Sequence, residues 1–210
     1  MAMEHSPEDL REATEKARRE FRLLDPSWMA SRSGTTYSYP RRAFKVPFFG
    51  EEYEVTYPEG TVRKPDGRPA GAREALIILH YLVHAGGEEP RLQWIAYRDL
   101  PGARYHEPAF AAEVETPLSR GLEGRLEELR DWALRKARRA EVPGDVAAVW
   151  EVLPRLPLLV IFNDRDEEFP ASARVLFDVT APGYLPTEDL SVLAEMAAWR
   201  LLEDLGALEA

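Results

Sequence analysis

A chain of 210 residues with 45% hydrophobic content carries enough apolar side chain for one substantial core and too much for a disordered segment. Its formal net charge of −10 repels a phosphate backbone, and its best basic cluster, Arg135-Lys136-Ala137-Arg138-Arg139, ends a helical pattern where positive charge complements the dipole, so no nucleic-acid partner is expected. The absence of cysteine excludes disulfides, thiol nucleophiles and iron–sulfur clusters held by thiolates of this chain. The amino terminus carries no apolar core of signal-peptide length and no apolar run approaches a bilayer span, so a cytoplasmic protein without a membrane partner is expected.

In chain order, Ser6-Pro7-Glu8-Asp9 has the cap, proline and acid of a helix start, and Leu10, Ala13, Ala17, Phe21 and Leu24 continue along one face until Asp25-Pro26. A polar, aromatic segment through Tyr37 and Tyr39 leads to a predicted hairpin. Its strands are Ala43 to Phe49 and Tyr53 to Tyr57 around Gly50-Glu51-Glu52, with Pro47 making the first an edge. Ala70 to Ala85 is nearly all apolar and ends at Gly86-Gly87, which predicts a buried central helix. Leu92 to Arg98 reads as a strand before a Pro101-Gly102 turn, and Leu122 to Ala140 as a charged amphipathic helix stopped at Pro143-Gly144.

Leu158 to Phe162 and Arg174 to Val179 then pair as a second hairpin with an acidic tip, Asp164-Arg165-Asp166-Glu167-Glu168, and Thr187-Glu188-Asp189 starts a last helix through Leu205. The order of helix, hairpin, helix, strand, helices, hairpin, helix predicts an α+β fold: a largely antiparallel sheet with a central buried helix and flanking helices. Residues 1–39 form an N-terminal helix and connecting segment ahead of a single α+β domain over residues 40–210.

The strings Leu79-His80-Tyr81-Leu82, Trp94 through Gly102, Leu156-Pro157-Leu158 through Pro170, Leu176-Phe177-Asp178 and Tyr184 through Leu190 resemble an uncharacterised prokaryotic family, the domain of unknown function 3786. The resemblance runs from about residue 40 to the end. Members occur in anaerobes, some fused to cysteine-rich iron–sulfur modules or encoded near corrinoid-dependent one-carbon enzymes. The resemblance therefore implies an accessory role linked to corrinoid or one-carbon metabolism and a corrinoid-pathway protein as partner, while supplying no catalytic residue; the lack of cysteine departs from the iron–sulfur pattern.

Three constellations could carry chemistry. His80 and His84 share a helix face at a spacing that could hold a metal, with His106, Asp164 or Asp178 as a third ligand, although Tyr81 stands where a zinc protease has glutamate; the alternative is a core histidine bonded to backbone or carboxylate. Trp94 and Arg98, alternating with Ala96 on one strand face and joined by Tyr105, could clamp an anionic organic ligand, or Arg98 could pair with Asp99 or another acid while the indole packs. The acidic tip lacks the glycine of a calcium loop, and a solvated turn is the plainer reading, whereas Asp178 at a strand end has a better claim to a cleft.

No glycine-rich phosphate loop, dinucleotide fingerprint or nucleophile elbow occurs. The expected function is a ligand-binding or accessory protein with His80, His84, Trp94, Arg98, Tyr105 and Asp178 as ligand-binding candidates and a small anionic organic molecule as ligand. The alternative is a metal-dependent hydrolase built on His80, His84 and a carboxylate. Neither cofactor nor oligomeric state can be read from the residues.

Overall fold

The computed structural model describes residues 6–207. The Ser6 hydroxyl accepts the Asp9 amide at 3.2 Å and the Asp9 carboxylate accepts the Ser6 amide, a reciprocal cap that starts α1 (Pro7–Phe21). Asp25-Pro26, expected to stop the chain's helical run, also opens a second helix. Asp25 accepts the Trp28 amide at 2.9 Å and Pro26 takes the first helical position, giving α2 (Pro26–Ser33) before Gly34 closes it at φ +69°.

The first sheet is antiparallel, in the order β1 (Thr36–Ser38), β2 (Ala43–Phe48), β3 (Glu51–Thr56), β4 (Val62–Arg63). Pro47 does not make β2 an edge. β1 reaches only as far as Lys45, so the proline's missing N–H leaves no neighbouring strand unpaired. β2 and β3 join through Phe49 and Gly50, both at positive φ (+52° and +80°), as a two-residue hairpin turn requires. An aromatic residue in that conformation is strained, and burial offsets the cost. Phe49 is 4% exposed, its amide donates to the Val152 carbonyl at 2.9 Å, and its ring lies 5.0 Å from that of Trp150, docking the hairpin tip on the second sheet.

That second sheet is also antiparallel, in the order β5, β9, β8, β7, β6, with β5 at Trp94–Ala96, β6 at Arg138–Arg139, β7 at Val146–Leu153, β8 at Leu156–Asn163 and β9 at Ser172–Asp178. Strand β7 is absent from the sequence expectation. Both of its faces are buried: Ala148 and Trp150 join the main core, while Ala147 and Val149 pack with Leu159 and Trp94 on the other side, which erases the alternation that marks a strand.

α3 (Ala72–His84) is the central helix, with Leu76 through Leu79, Tyr81 and Leu82 buried, and α7 (Thr187–Asp204) lies beside it. One core runs from Ala17 and Phe21 of α1 to Leu202 of α7, so the described residues form a single α+β domain in which α1 and α2 share the core of the rest.

The expected strand through Arg98 ends at Ala96. Tyr97–Asp99 and Ala103–Tyr105 are short 3-10 turns leading into α4 (Glu107–Phe110), a π-turn (Ala111–Glu115) and α5 (Thr116–Leu122). Pro117 explains the widened turn: it has no N–H for the Glu113 carbonyl, and its ring crowds that group. The Thr116 amide bonds instead to the Ala111 carbonyl, five residues back. At Gly121 α5 meets α7 so closely that a Cβ would stand 2.5 Å from Leu202. α6 (Leu126–Lys136) is shorter than the expected 122–140 helix, because Gly124 breaks the chain at φ +74° and Arg138 and Arg139 leave to pair with β7.

Candidate binding cleft

A cleft of about 270 Å³ opens where the first turns of α7 face the π-turn and the segment after β5. Its floor is apolar: Tyr97, Pro101, Ala109, Phe110 and Val192 line it, with the rings of Tyr97 and Phe110 stacked at 4.2 Å. Burial lifts the Tyr97 phenol above its ordinary range, against a hydrogen bond with Ser191, so it stays protonated at neutral pH. Thr187 fixes the mouth by donating to the Pro101 carbonyl at 2.8 Å.

The charged groups are unbalanced. Glu113, Glu188 and Glu195 line the cleft with Arg73 and His106, and Arg73 is already engaged by Glu195 at 2.8 Å. Glu113 and Glu188 thus set a negative potential over an apolar floor. The π-turn also places Glu115, whose carboxylate turns away to accept the Val175 amide at 3.3 Å, just past the end of the β5 pairing at Leu176. Burial raises the Glu115 pKa, opposed by the Val175 amide and Arg174, raised further by Glu107 and opposed by Arg98.

His80 and His84 lie outside this cleft. His80, 19% exposed, has Nδ1 at 2.6 Å from Asp189 Oδ2, and its ring centroid is 5.4 Å from that of His84. Asp189 comes from the first turn of α7, so His80 makes the carboxylate bond that was the alternative to a metal ligand, while His106, Asp164 and Asp178, the expected third ligands, bond to neither imidazole. Partial burial, then the proximity of His80, holds the His84 pKa below the ordinary imidazole range. Among the described residues no group of three or more histidine, aspartate or glutamate side chains is placed to hold a metal ion.

Trp94, Arg98 and Tyr105 do not converge. Trp94 packs on the outer face of the second sheet beside Val149, Leu159 and Leu176. Arg98 sits in the 3-10 turn, off the strand face, 54% exposed and paired with Glu107 at 3.4 Å and Asp99 at 3.9 Å. Tyr105 is 91% exposed and does not line the cleft, although its sequence neighbour His106 does.

Asp178 is fully buried and accepts from the Arg91, Leu92 and Thr180 amides and the Thr180 hydroxyl. Those bonds hold Leu92 at φ +56° and lock the loop before β5 onto the end of β9. Asp166 closes the acidic tip on itself by accepting the Phe169 and Glu168 amides, which lower its pKa, while Asp164 ties the tip to the segment between α5 and α6 by accepting the Gly124 amide.

Sequence reasoning singled out none of Glu113, Glu188, Ser191 and Glu195 as site residues. Glu188 reads as an ordinary acid in a helix's first turn, and the one signal for the π-turn in residues 107–122 is Pro117, which by itself equally suits a kink or a new helix start. Among the described residues no helix is long and apolar enough to cross a membrane. A family model described as a domain of unknown function (DUF3786) matches residues 25–200. No curated protein and no solved structure matches the chain.

Proposed function

Because the chain belongs to the DUF3786 family, whose description assigns no chemistry, we propose its function from the cleft itself: it is a binding protein for a small organic cation, held between α7 and the π-turn. The observation that carries this reading is the pairing of an apolar floor, Tyr97 and Phe110 foremost, with an excess of carboxylates at the rim. An ammonium or amidinium head would meet Glu113 and Glu188 while its hydrocarbon body lay on the floor, the division of labour usual in ligand clefts. At about 270 Å³ the cleft sits just below the roughly 300–1,000 Å³ of drug-sized sites, which suits a compact metabolite.

This departs from the anionic ligand expected from Trp94 and Arg98, since a carboxylate or phosphate would face like charge here. A corrin macrocycle is far too large for the same space. The corrinoid-pathway protein partner and the cytoplasmic setting are proposals that rest on the family resemblance and on sequence composition. A thermal-shift comparison of phenethylammonium with 3-phenylpropionate, two probes of similar shape and opposite charge, tests the reading: the ammonium should raise the melting temperature and the carboxylate should not. A shift with the carboxylate alone would reverse it.

A further inference from the structure

The i,i+4 histidines on α3 form a second arrangement, separate from the cleft. Asp189 accepts from His80 Nδ1, which fixes the tautomer and leaves Nε2 as the lone-pair nitrogen. Nε2 makes no hydrogen bond among the described residues. No buried side-chain nitrogen among them lacks a partner, so Nε2 reaches solvent. His84, at the exposed end of α3, likewise has both ring nitrogens uncommitted to any hydrogen bond among the described residues.

We propose that His80 and His84 together chelate one divalent transition-metal ion of the zinc, nickel or copper class, with water completing its coordination shell. Two imidazoles bonded to one ion at about 2 Å, disposed roughly tetrahedrally, have ring centroids about 5 Å apart; these stand at 5.4 Å. The pairing of Asp189 with His80 is the support that metal-bound imidazoles ordinarily receive, a carboxylate on the distal ring N–H that orients the ring and raises its basicity. Imidazole pairs select borderline-soft ions over magnesium and calcium, which prefer oxygen. Two protein ligands make the site an exchangeable one, open to solvent and to further donors.

Calorimetric titration of ZnCl₂ into full-length, untagged protein stripped of metal tests this. One equivalent should bind saturably. His84→Ala, a change at an exposed position, and His80→Ala should each weaken binding at least tenfold, and Asp189→Asn about tenfold, the effect expected of a residue that positions a ligand. Magnesium should not compete. Glu113→Gln should leave zinc binding unchanged, which separates this site from the cleft. Absence of saturable binding, or binding that His84→Ala leaves intact while circular dichroism shows the fold retained, would overturn the proposal.

Discussion

The rings of Tyr97 and Phe110 lie parallel to within 2°, their centroids 4.2 Å apart. This stack ties the 3-10 turn after β5 to the helix before the π-turn and forms the floor of the cleft, so one contact serves both folding and binding. Phe177 of β9 backs it at 6.0 Å from Phe110. Phe110→Ala should cost on the order of 3–5 kcal/mol in urea unfolding, because it removes a buried ring and leaves Tyr97 and Phe177 facing a void. A loss below about 1 kcal/mol would place the stack outside the cooperative core.

Arg98 provides the contrast. It is paired with Glu107 and Asp99 in the open, where ion pairs contribute little because water screens them. Arg98→Ala should change stability by less than about 1 kcal/mol and leave the ammonium affinity unaltered. Loss of binding in a variant that unfolds at the wild-type urea concentration would return Arg98 to the ligand site.

Glu115 supplies a pH dependence of opposite sign to that of an ordinary salt-bridged carboxylate. Burial raises its pKa in the folded chain, so between the unfolded value of about 4.3 and the folded one the native state binds more protons than the unfolded chain. Its contribution is therefore present below the unfolded value and lost as pH rises through the folded one. Glu115→Gln keeps an acceptor for the Val175 amide without a charge to bury. Its urea midpoint should exceed that of the wild type at pH 7, with the gap closing toward pH 4. A gap that stays constant across that range would show that the charge is not the cause.

Much of the frame is legible in the residues. α3 announces itself because the mostly apolar segment from Ala70 to Ala85, with its run from Ala75 to Val83, is too long for a strand and ends at Gly86-Gly87. The β8–β9 pair is legible from an apolar run on each side of an acidic turn. What escapes has physical reasons. β7 is buried on both faces and loses its period of two, and Asp25-Pro26 is a stop and a start in one signal.

The cleft is harder to read because its walls come from α3, the turns after β5, the π-turn and α7, segments as far apart as Arg73 and Glu195. Only tertiary packing makes Glu113 and Glu188 neighbours of one cavity. The partner of His80 was hidden similarly: Asp189 carries the pattern of a helix-start acid, and only the antiparallel approach of α7 to α3 brings it to the ring.

Charge selectivity is the property of the cleft on which its proposed function depends most directly. Calorimetric titration of phenethylammonium into the wild type and into the Glu113→Gln/Glu188→Gln double variant measures it, since both glutamines keep the size of the rim and remove its charge. Binding to the wild type should be saturable and 1:1, weakened at least tenfold in the double variant and weakened by salt in the wild type, as expected of partly exposed charges. Equal affinity in the two proteins, or tighter binding of 3-phenylpropionate to the wild type, would contradict it.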